Sequence, residues 1–406
     1  MATRSPRDAV ITGIGLISPL AEGVADHVRL LTGEALPQPG IDAESFAPYP
    51  FHPLVEVDLS LQIPKRDQRQ METWQRYGTY AAGLALADAG LAGNEAVLSE
   101  AGLIVAAGGG ERDPEVDGAI LEGMANAGDR DAFLNERLMS DLRPTLFLAQ
   151  LTNLLAGNIS IVHHVTGSSR SFMGEELAGA MALQTAMRQI GAGQGDVFLV
   201  GGAYSAGRPD MLLYFACGDY LLEGSEVPPV WQRGGGRGGL VCGSMGAFLV
   251  IEAREHAQKR GARIYARLED VVADRGSRED ASALRARAAR QTARLEELAG
   301  DAPIGLLSGA SGAAGALALE RAMIDELSAR REVYVRGCAT MIGHGLEAQV
   351  PACVALAAAA LKEKTFYRPF DESGFEKPAV TAPDRIAVTG WGHWRGESLA
   401  VIAADD

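Results

Sequence analysis

Gly157-Asn-Ile-Ser-Ile-Val-His-His-Val-Thr-Gly-Ser-Ser-Arg-Ser-Phe-Met-Gly-Glu-Glu-Leu-Ala-Gly179 reads as an apolar strand-like run, a small-residue turn and the start of an Ala-rich helix, Leu177 to Ile190. Beyond it, Gly195-Asp-Val-Phe-Leu-Val-Gly-Gly202 reads as a buried strand closed by two glycines. Strand, turn, helix, strand is the layout that presents one side chain at a helix N-terminus. Free N–H groups and the helix dipole stabilise negative charge there. A cysteine at that spot would be a thiolate of lowered pKa, yet Cys217, Cys242, Cys338 and Cys353 all lie elsewhere. The turn offers Ser168, Ser169 and Ser171 as alternative nucleophiles, with His163 or His164 as base. Serines in a Gly/Ser turn ordinarily serve the turn itself. On a strand, His163 and His164 would point to opposite faces and could not share a metal. Glu175 and Glu176 sit where acidic groups complement a helix dipole, with Arg170 as their expected ion-pair partner.

Outward from this segment, apolar runs alternate with helical patterns. Ala9 to Leu20 is a strand entering a Gly/Pro turn; no G-x-G-x-x-G follows, which rejects a dinucleotide site. Met71 to Ala89 is an amphipathic helix stopped by Gly90. Ala101 to Glu111 is a strand entering a glycine loop, and Arg143 to Leu155 a further helix. In the second half, Pro303–Ala310, Val333–Arg336, Arg385–Gly390 and Leu399–Ala403 read as strands. Ser282–Leu298, Ala316–Arg330 and Glu347–Leu361 read as helices. The alternation predicts α/β layers. Ala-rich helices that are apolar on most faces belong between sheets. A duplicated five-layer α-β-α-β-α arrangement satisfies both, with halves at residues 1–252 and 253–406. The first half carries cap insertions at about 37–70 and 113–155.

The chain has 406 residues and a net charge of −15, with 47% hydrophobic residues, enough for a large core. Such a surface repels nucleic acid, and no basic run with interleaved aromatics offsets it. Arg233, Arg237 and the stretch from Arg285 to Arg294 are the candidate contacts for an acidic carrier, although a solvated helix face is the ordinary reading of that stretch. The cysteine spacing fits neither a metal site nor a disulfide framework, so the expected setting is the reducing cytoplasm. The N-terminus has no apolar core of a signal peptide, and no run is long and apolar enough to span a bilayer. No cofactor and no metal are expected.

The same residues resemble the β-ketoacyl-acyl-carrier-protein synthases, condensing enzymes of the thiolase fold. Val10-Ile-Thr-Gly-Ile-Gly-Leu-Ile-Ser-Pro-Leu20 is similar to that family's opening strand. Arg76-Tyr77 through Ala85–Leu91 resembles its first long helix. Cys242–Glu252 followed by Ala257–Tyr265 resembles the start of its second half. The resemblance runs nearly end to end and implies a thiolase-like five-layer fold. It also implies a nucleophilic Cys at the helix N-terminus, two His that stabilise an enolate and an oxyanion, and a Lys supporting the second His. Spacing back from Gly201-Gly202 puts the Cys position at Glu176; spacing from Asn158-Ile-Ser-Ile161 puts it near Val165. The first His position falls near Gly309 and the Lys position at Ala339. The second His is His344. The loop that gates the acyl site corresponds to Gly390-Trp-Gly-His-Trp-Arg-Gly396. Gly309, Trp391, Trp394 and Phe172 are the expected substrate contacts.

Losing nucleophile and one His together removes several kcal/mol of barrier lowering, roughly enough to abolish ordinary condensation. The helix start Glu175-Glu176-Leu-Ala-Gly179 is similar to chain-length factors, in which Gln replaces the Cys and the subunit pairs with an active synthase. The resemblance therefore implies a non-condensing subunit of fatty-acid (including very-long-chain) or polyketide biosynthesis, with a degenerate site at Glu176 and His344. Its partners would be acyl carrier protein and an active synthase subunit, or a second copy, with the sheet extended across the interface through Val197–Val200. Two other readings stand beside it. One is an enzyme acting on acyl- or malonyl-carrier protein, a decarboxylase or unusual acyltransferase. It would use a Glu176 kept protonated by burial, or Ser169 or Ser171 with His164. The other is a catalytically dead scaffold.

Overall fold

The computed structural model describes residues 4–110, 112–142, 146, 150–235 and 238–405. The first half of the chain supplies β1 (Ala9–Ile17), β2 (Gly102–Ala106), β3 (Ser169–Phe172), β4 (Val197–Tyr204) and β5 (Met245–Ala253). The second supplies β6 (Ala266–Asp274), β7 (Ile304–Ser308), β8 (Val333–Gly337), β9 (Arg385–Trp391) and β10 (Glu397–Ala403). They form one ten-stranded sheet in the order β3-β2-β4-β5-β1-β6-β10-β9-β7-β8. In the first half β1 pairs antiparallel with β5, β5 antiparallel with β4, β4 parallel with β2, and β2 parallel with β3. The second half repeats that pattern through β6, β10, β9, β7 and β8. The halves meet through Val10 opposite Arg267 and Ile11 opposite Ala266. The duplication expected from the residues is therefore visible strand for strand.

Strands β1, β4 and β5 are buried along their whole length, as continuous apolar strands covered on both faces must be. The helices Thr73–Asp88 and Leu154–His163 cover one face of the first-half sheet. The helices Glu176–Gly191 and Gln349–Lys362 lie in the central layer and contribute to the largest apolar core. Ala281–Ala299 and Ala314–Ser328 cover the outer face of the second half. The Gln349 helix is buried from Gln349 to Leu361, which its Ala, Val, Cys and Leu composition allows on every face. It crosses the Glu176 helix closely: a Cβ on Gly179 would lie 2.6 Å from both the Glu347 carbonyl oxygen and Pro351 Cδ. The expected polar excursion over 113–141 forms two helices, Pro114–Asn126 and Arg130–Asp141.

Three expectations are corrected. The run from Asn158 to Val165 is not a strand: Leu154–His163 is a helix whose Leu155, Ala156 and Ile159 pack on one face. His164 ends it in the left-handed conformation, φ 58°. The alignment register that rested on a strand there, placing the Cys position near Val165, falls with it. The helix expected over Arg143–Leu155 lies partly outside the described residues. Finally, β4 cannot extend the sheet, because β2 and β5 occupy its two edges. The edge strand of that half is β3, with Ser169 and Arg170 exposed. At the opposite end all of β8 is buried. The segment after the Gln349 helix covers it: Arg336 Nε and Nη1 donate to the carbonyls of Tyr367 and Lys377, and the Gly337 N–H donates to Glu376 at 2.6 Å.

Candidate functional site

Between the two halves, the turn after β3 delivers Glu176 to the first turn of its helix, 1% exposed. Its Oε1 accepts three hydrogen bonds: from His344 Nε2 at 2.9 Å, from the His393 backbone N–H at 2.9 Å and from His393 Nδ1 at 3.1 Å. Both imidazoles are buried. His344 is carried by the turn after β8, where its backbone pairs with Val241 and Gly243. His393 sits on the loop between β9 and β10, its ring edge-on to Phe215 and Tyr220 at centroid distances of 5.1 and 4.8 Å. That loop is tied down by Arg278, which donates to the carbonyls of Gly392 and Gly396 and to Glu397 Oε1.

Burial alone would push the Glu176 carboxyl up, but the charge of His393 and the hydrogen bonds from both histidines hold it well below the usual carboxylate range. Burial works to lower His393, and the Glu176 charge overcomes it and raises the imidazole. Glu176 is thus an ionised group, not the neutral acid that enolate stabilisation would need. An oxyanion forming about 4 Å from that carboxylate would be disfavoured by about 4 kcal/mol at an effective dielectric of about 20.

Glu175, just before the helix, holds φ 60° and ψ −140°, a conformation that costs about 1–3 kcal/mol for a residue with a Cβ. Its carboxylate accepts from the Trp394 indole N–H at 2.8 Å and lies 3.8 Å from Arg395 Nε. Arg170, the partner expected from the residues, stands exposed on β3 instead. Glu175, Glu176 and His393 each place one ligand atom within 4.8 Å of the others. Glu175 Oε2 and Glu176 Oε1 are bonded to protein partners, whereas Glu176 Oε2 and His393 Nε2 have none among the described residues.

The serine alternative is not built. His163 Nε2 is bonded to the Thr79 carbonyl at 2.8 Å and His164 is exposed at the helix end. Among the described residues no hydrogen bond joins either to Ser169 or Ser171 on the edge strand. Cys242 runs alongside His344, but burial pushes its thiol up to about 12. Gly309 is buried with its N–H on the Thr389 carbonyl, and Ala339 is buried too.

A cleft of about 400 Å³ opens beside Glu175, walled by Trp74, Met173, Tyr204, Arg208 and Glu347 among others. Arg208 donates to the carbonyls of Gly109 and Gly110 at 2.9 and 2.8 Å and holds that glycine loop in place. A second space of about 670 Å³, with Arg275, Arg278 and Arg395 beside Trp394, adjoins it through Arg275 and Arg395. Of the expected substrate contacts, Trp394 lines this basic mouth. Trp391 does not face the site: as the last residue of β9 it lines a groove between the two outer helices. Phe172 packs against the central core, leaving its neighbour Met173 to face the cleft. Gly309 lines neither space. Trp74 and Glu347 were overlooked in the sequence, and His393 was legible there only as a member of the Gly390–Gly396 loop.

Fold and site together define a duplicated, layered α/β protein of thiolase type that presents one residue at a central helix start. The β-ketoacyl synthase N-terminal domain family matches residues 57–257. The 3-oxoacyl-[acyl-carrier-protein] synthase 2 of Vibrio harveyi is 28% identical over 275 residues, 65% of this chain and 62% of that protein. The tetracenomycin polyketide synthase ketoacyl synthase beta subunit of Streptomyces glaucescens is 29% identical over 273 residues, 65% of this chain and 63% of that one. The ishigamide ketosynthase/chain length factor structure superposes with a TM-score of 0.75 at 21% identity, covering 99% of this chain and 100% of that chain. Over residues 57–257 the chain matches the β-ketoacyl synthase family, and it spans less than two thirds of the length of the curated relatives it matches. Among the described residues no helix is long and apolar enough to cross a membrane.

Proposed function

We propose that this protein is a non-condensing, chain-length-factor-like subunit of an acyl-carrier-protein-dependent synthase, acting in fatty-acid or polyketide assembly beside an active, cysteine-bearing partner. The observation that carries the reading is Glu176: an ionised, buried carboxylate locked by His344 and His393 at the helix start. The mismatch with catalysis extends to the rest of the site, since glycine and alanine stand at 309 and 339 where the resemblance calls for His and Lys. The names of the relatives, a beta subunit and a chain length factor among them, support the same reading. A decarboxylase that stabilises an enolate is disfavoured by the carboxylate's charge. The cleft beside Glu175 would then shape the growing chain rather than react with it.

The test is to incubate the purified protein with malonyl- and acyl-carrier protein and read the intact masses of both. The incubation is then repeated with a co-expressed cysteine-containing synthase. The expected result is an unmodified, inert chain that changes product length only when the partner is present. Loss of carbon dioxide from the malonyl carrier, or an acyl adduct on this chain, would make it an enzyme and end the reading.

A further inference from the structure

The two outer helices of the second half leave a groove of about 490 Å³ between them, which shares no lining residue with the cleft beside Glu175. One row of each helix walls it, at three- and four-residue spacing: Leu284, Ala288 and Thr292 on Ala281–Ala299, Leu319 and Met323 on Ala314–Ser328. Its size and apolar walls are those of a small-molecule site. The Thr292 hydroxyl is taken up by the Ala288 carbonyl at 3.0 Å. Trp391 lines the groove at 1% exposure, and its indole N–H has no hydrogen-bond partner. A buried donor left without an acceptor is costly, so it marks where a ligand supplies the missing bond.

The two ends of the groove differ in charge. Arg287 Nε donates to Glu397 at 2.8 Å, and Glu397 stands opposite Trp391 in the β9–β10 ladder. Trp391 therefore lies under the first two turns of the Ala281–Ala299 helix. Arg285 is exposed on the rim there and, among the described residues, has no ion-pair partner. At the far end the Glu296–Arg330 pair closes the rim at 3.1 Å, and Glu326 stands one turn before Arg330. At 1.5 Å per residue, Arg285 and Glu296 are about 16 Å apart along their helix. A donor and a free cation thus share one end, a free acid stands toward the other, and apolar wall runs between. An indole N–H only donates. With Arg285 beside it, an anionic acceptor satisfies this end, whereas an ammonium would meet a cation and no acceptor. Glu326 toward the other end favours a tail without charge.

We propose that the groove between the two outer helices binds a linear amphiphile, with its carboxylate at Trp391 and Arg285 and its alkyl tail along Ala288, Thr292 and Met323. Calorimetric titration of the purified full chain tests it with dodecanoate, dodecanol and dodecyltrimethylammonium, each below its micellar concentration. The three share one tail and differ in the head. Dodecanoate is expected to bind most tightly and the ammonium least. By NMR, dodecanoate should shift one indole N–H resonance, the one that Trp391→Phe removes. Trp391→Phe keeps a ring and loses the donor, and should weaken dodecanoate by about tenfold. Arg285→Glu should weaken dodecanoate by about fivefold and leave dodecanol unchanged. Ala322→Phe, at an exposed position on the groove wall, fills the space and should abolish binding of all three. No binding, equal affinity for the three heads, or binding that none of these substitutions changes overturns the proposal. Each of those results leaves the partner-subunit function, read from product length, untouched.

Discussion

Removing the Glu176 carboxylate perturbs the site most directly. Glu176→Ala leaves three donors without an acceptor, His344 Nε2–H and the two N–H groups of His393, and takes away the counter-charge of a buried imidazole. Breaking a buried pair from one side costs about 3–5 kcal/mol. A chain of 406 residues unfolds with an entropy of about 0.9 kcal/mol/K, so Tm should fall by about 4–6 °C. Glu176→Gln keeps an oxygen acceptor and loses only the charge. Hydrogen bonds to charged groups exceed neutral ones by about 1 kcal/mol each, which puts the cost of the Gln variant at about 1–3 kcal/mol where His393 is charged. The pH dependence separates these terms. His393 is raised in the folded protein, so its contribution is fully present below the unfolded value of about 6.5 and fades as pH rises through the folded value. Glu176 is lowered, so its contribution is present above about 4.3 and is lost as pH falls through the folded value. The gap between parent and Gln variant should therefore be widest between about pH 4.3 and pH 6.5 and should narrow toward alkaline pH. Thermal unfolding of both proteins at about pH 5.5 and about pH 9 reads it. A Gln penalty equal at the two pH values, or a Gln variant more stable at the lower one, would refute an ionised Glu176 held by a charged His393.

Native alkylation should add a single adduct, at Cys217, because the other cysteines are buried; rapid multiple labelling in an intact-mass experiment would reveal a thiol within reach of the site. Glu397 takes Arg278 Nε at 3.0 Å and Arg287 Nε at 2.8 Å. Glu397→Ala should therefore cost about 3–5 kcal/mol and expose the 391–396 loop to limited proteolysis, and an unchanged Tm with an uncut loop would contradict that role. Restoring the family's residues should not restore condensation. A Cβ at Gly309 would lie 2.6 Å from the Thr389 carbonyl oxygen, so Gly309→His should lower stability by about 1–3 kcal/mol or more. The pair Glu176→Cys with Gly309→His should release no condensed product by mass spectrometry; a stable, active double variant would overturn the steric argument.

The layered fold was legible because its central elements carry one-sided signals. The Gln349 helix is apolar all round, and β9, β10 and β4 are short apolar runs bounded by glycine or charge. The misread segment, Asn158 to Val165, is an apolar run too short for its period to separate strand from helix; Leu155 and Ile159, one turn apart, decide it. The true strand there, β3, is Ser-Arg-Ser-Phe, polar because it lies at a sheet edge. At the site, spacing from Gly201-Gly202 located Glu176, and resemblance located His344. Their bond and the contribution of His393, 217 residues further on, depend on the β9–β10 loop folding back over the helix start. The idea of a protonated Glu176 weighed burial alone, because two imidazoles from distant segments cannot be seen in the order of residues. Trp391 was misplaced by one step of strand alternation: its neighbours on the loop reach the site while its own ring turns to the outer helices.

The two ends of the ten-stranded sheet are not equivalent in what they can recruit. Strand β8 is sealed by its own chain, through Tyr367, Glu376 and Lys377, whereas β3 pairs, among the described residues, with β2 alone and leaves its other rim unpaired. A sheet with a single free rim has a valence of one. Backbone pairing at β3 can bring in one further strand-edge and is then spent, because the newcomer, if built alike, has no second rim to offer. Growth by edge addition, the route to filaments and aggregates, therefore terminates after one step. What is sealed at β8 decides how many chains can ever meet at β3.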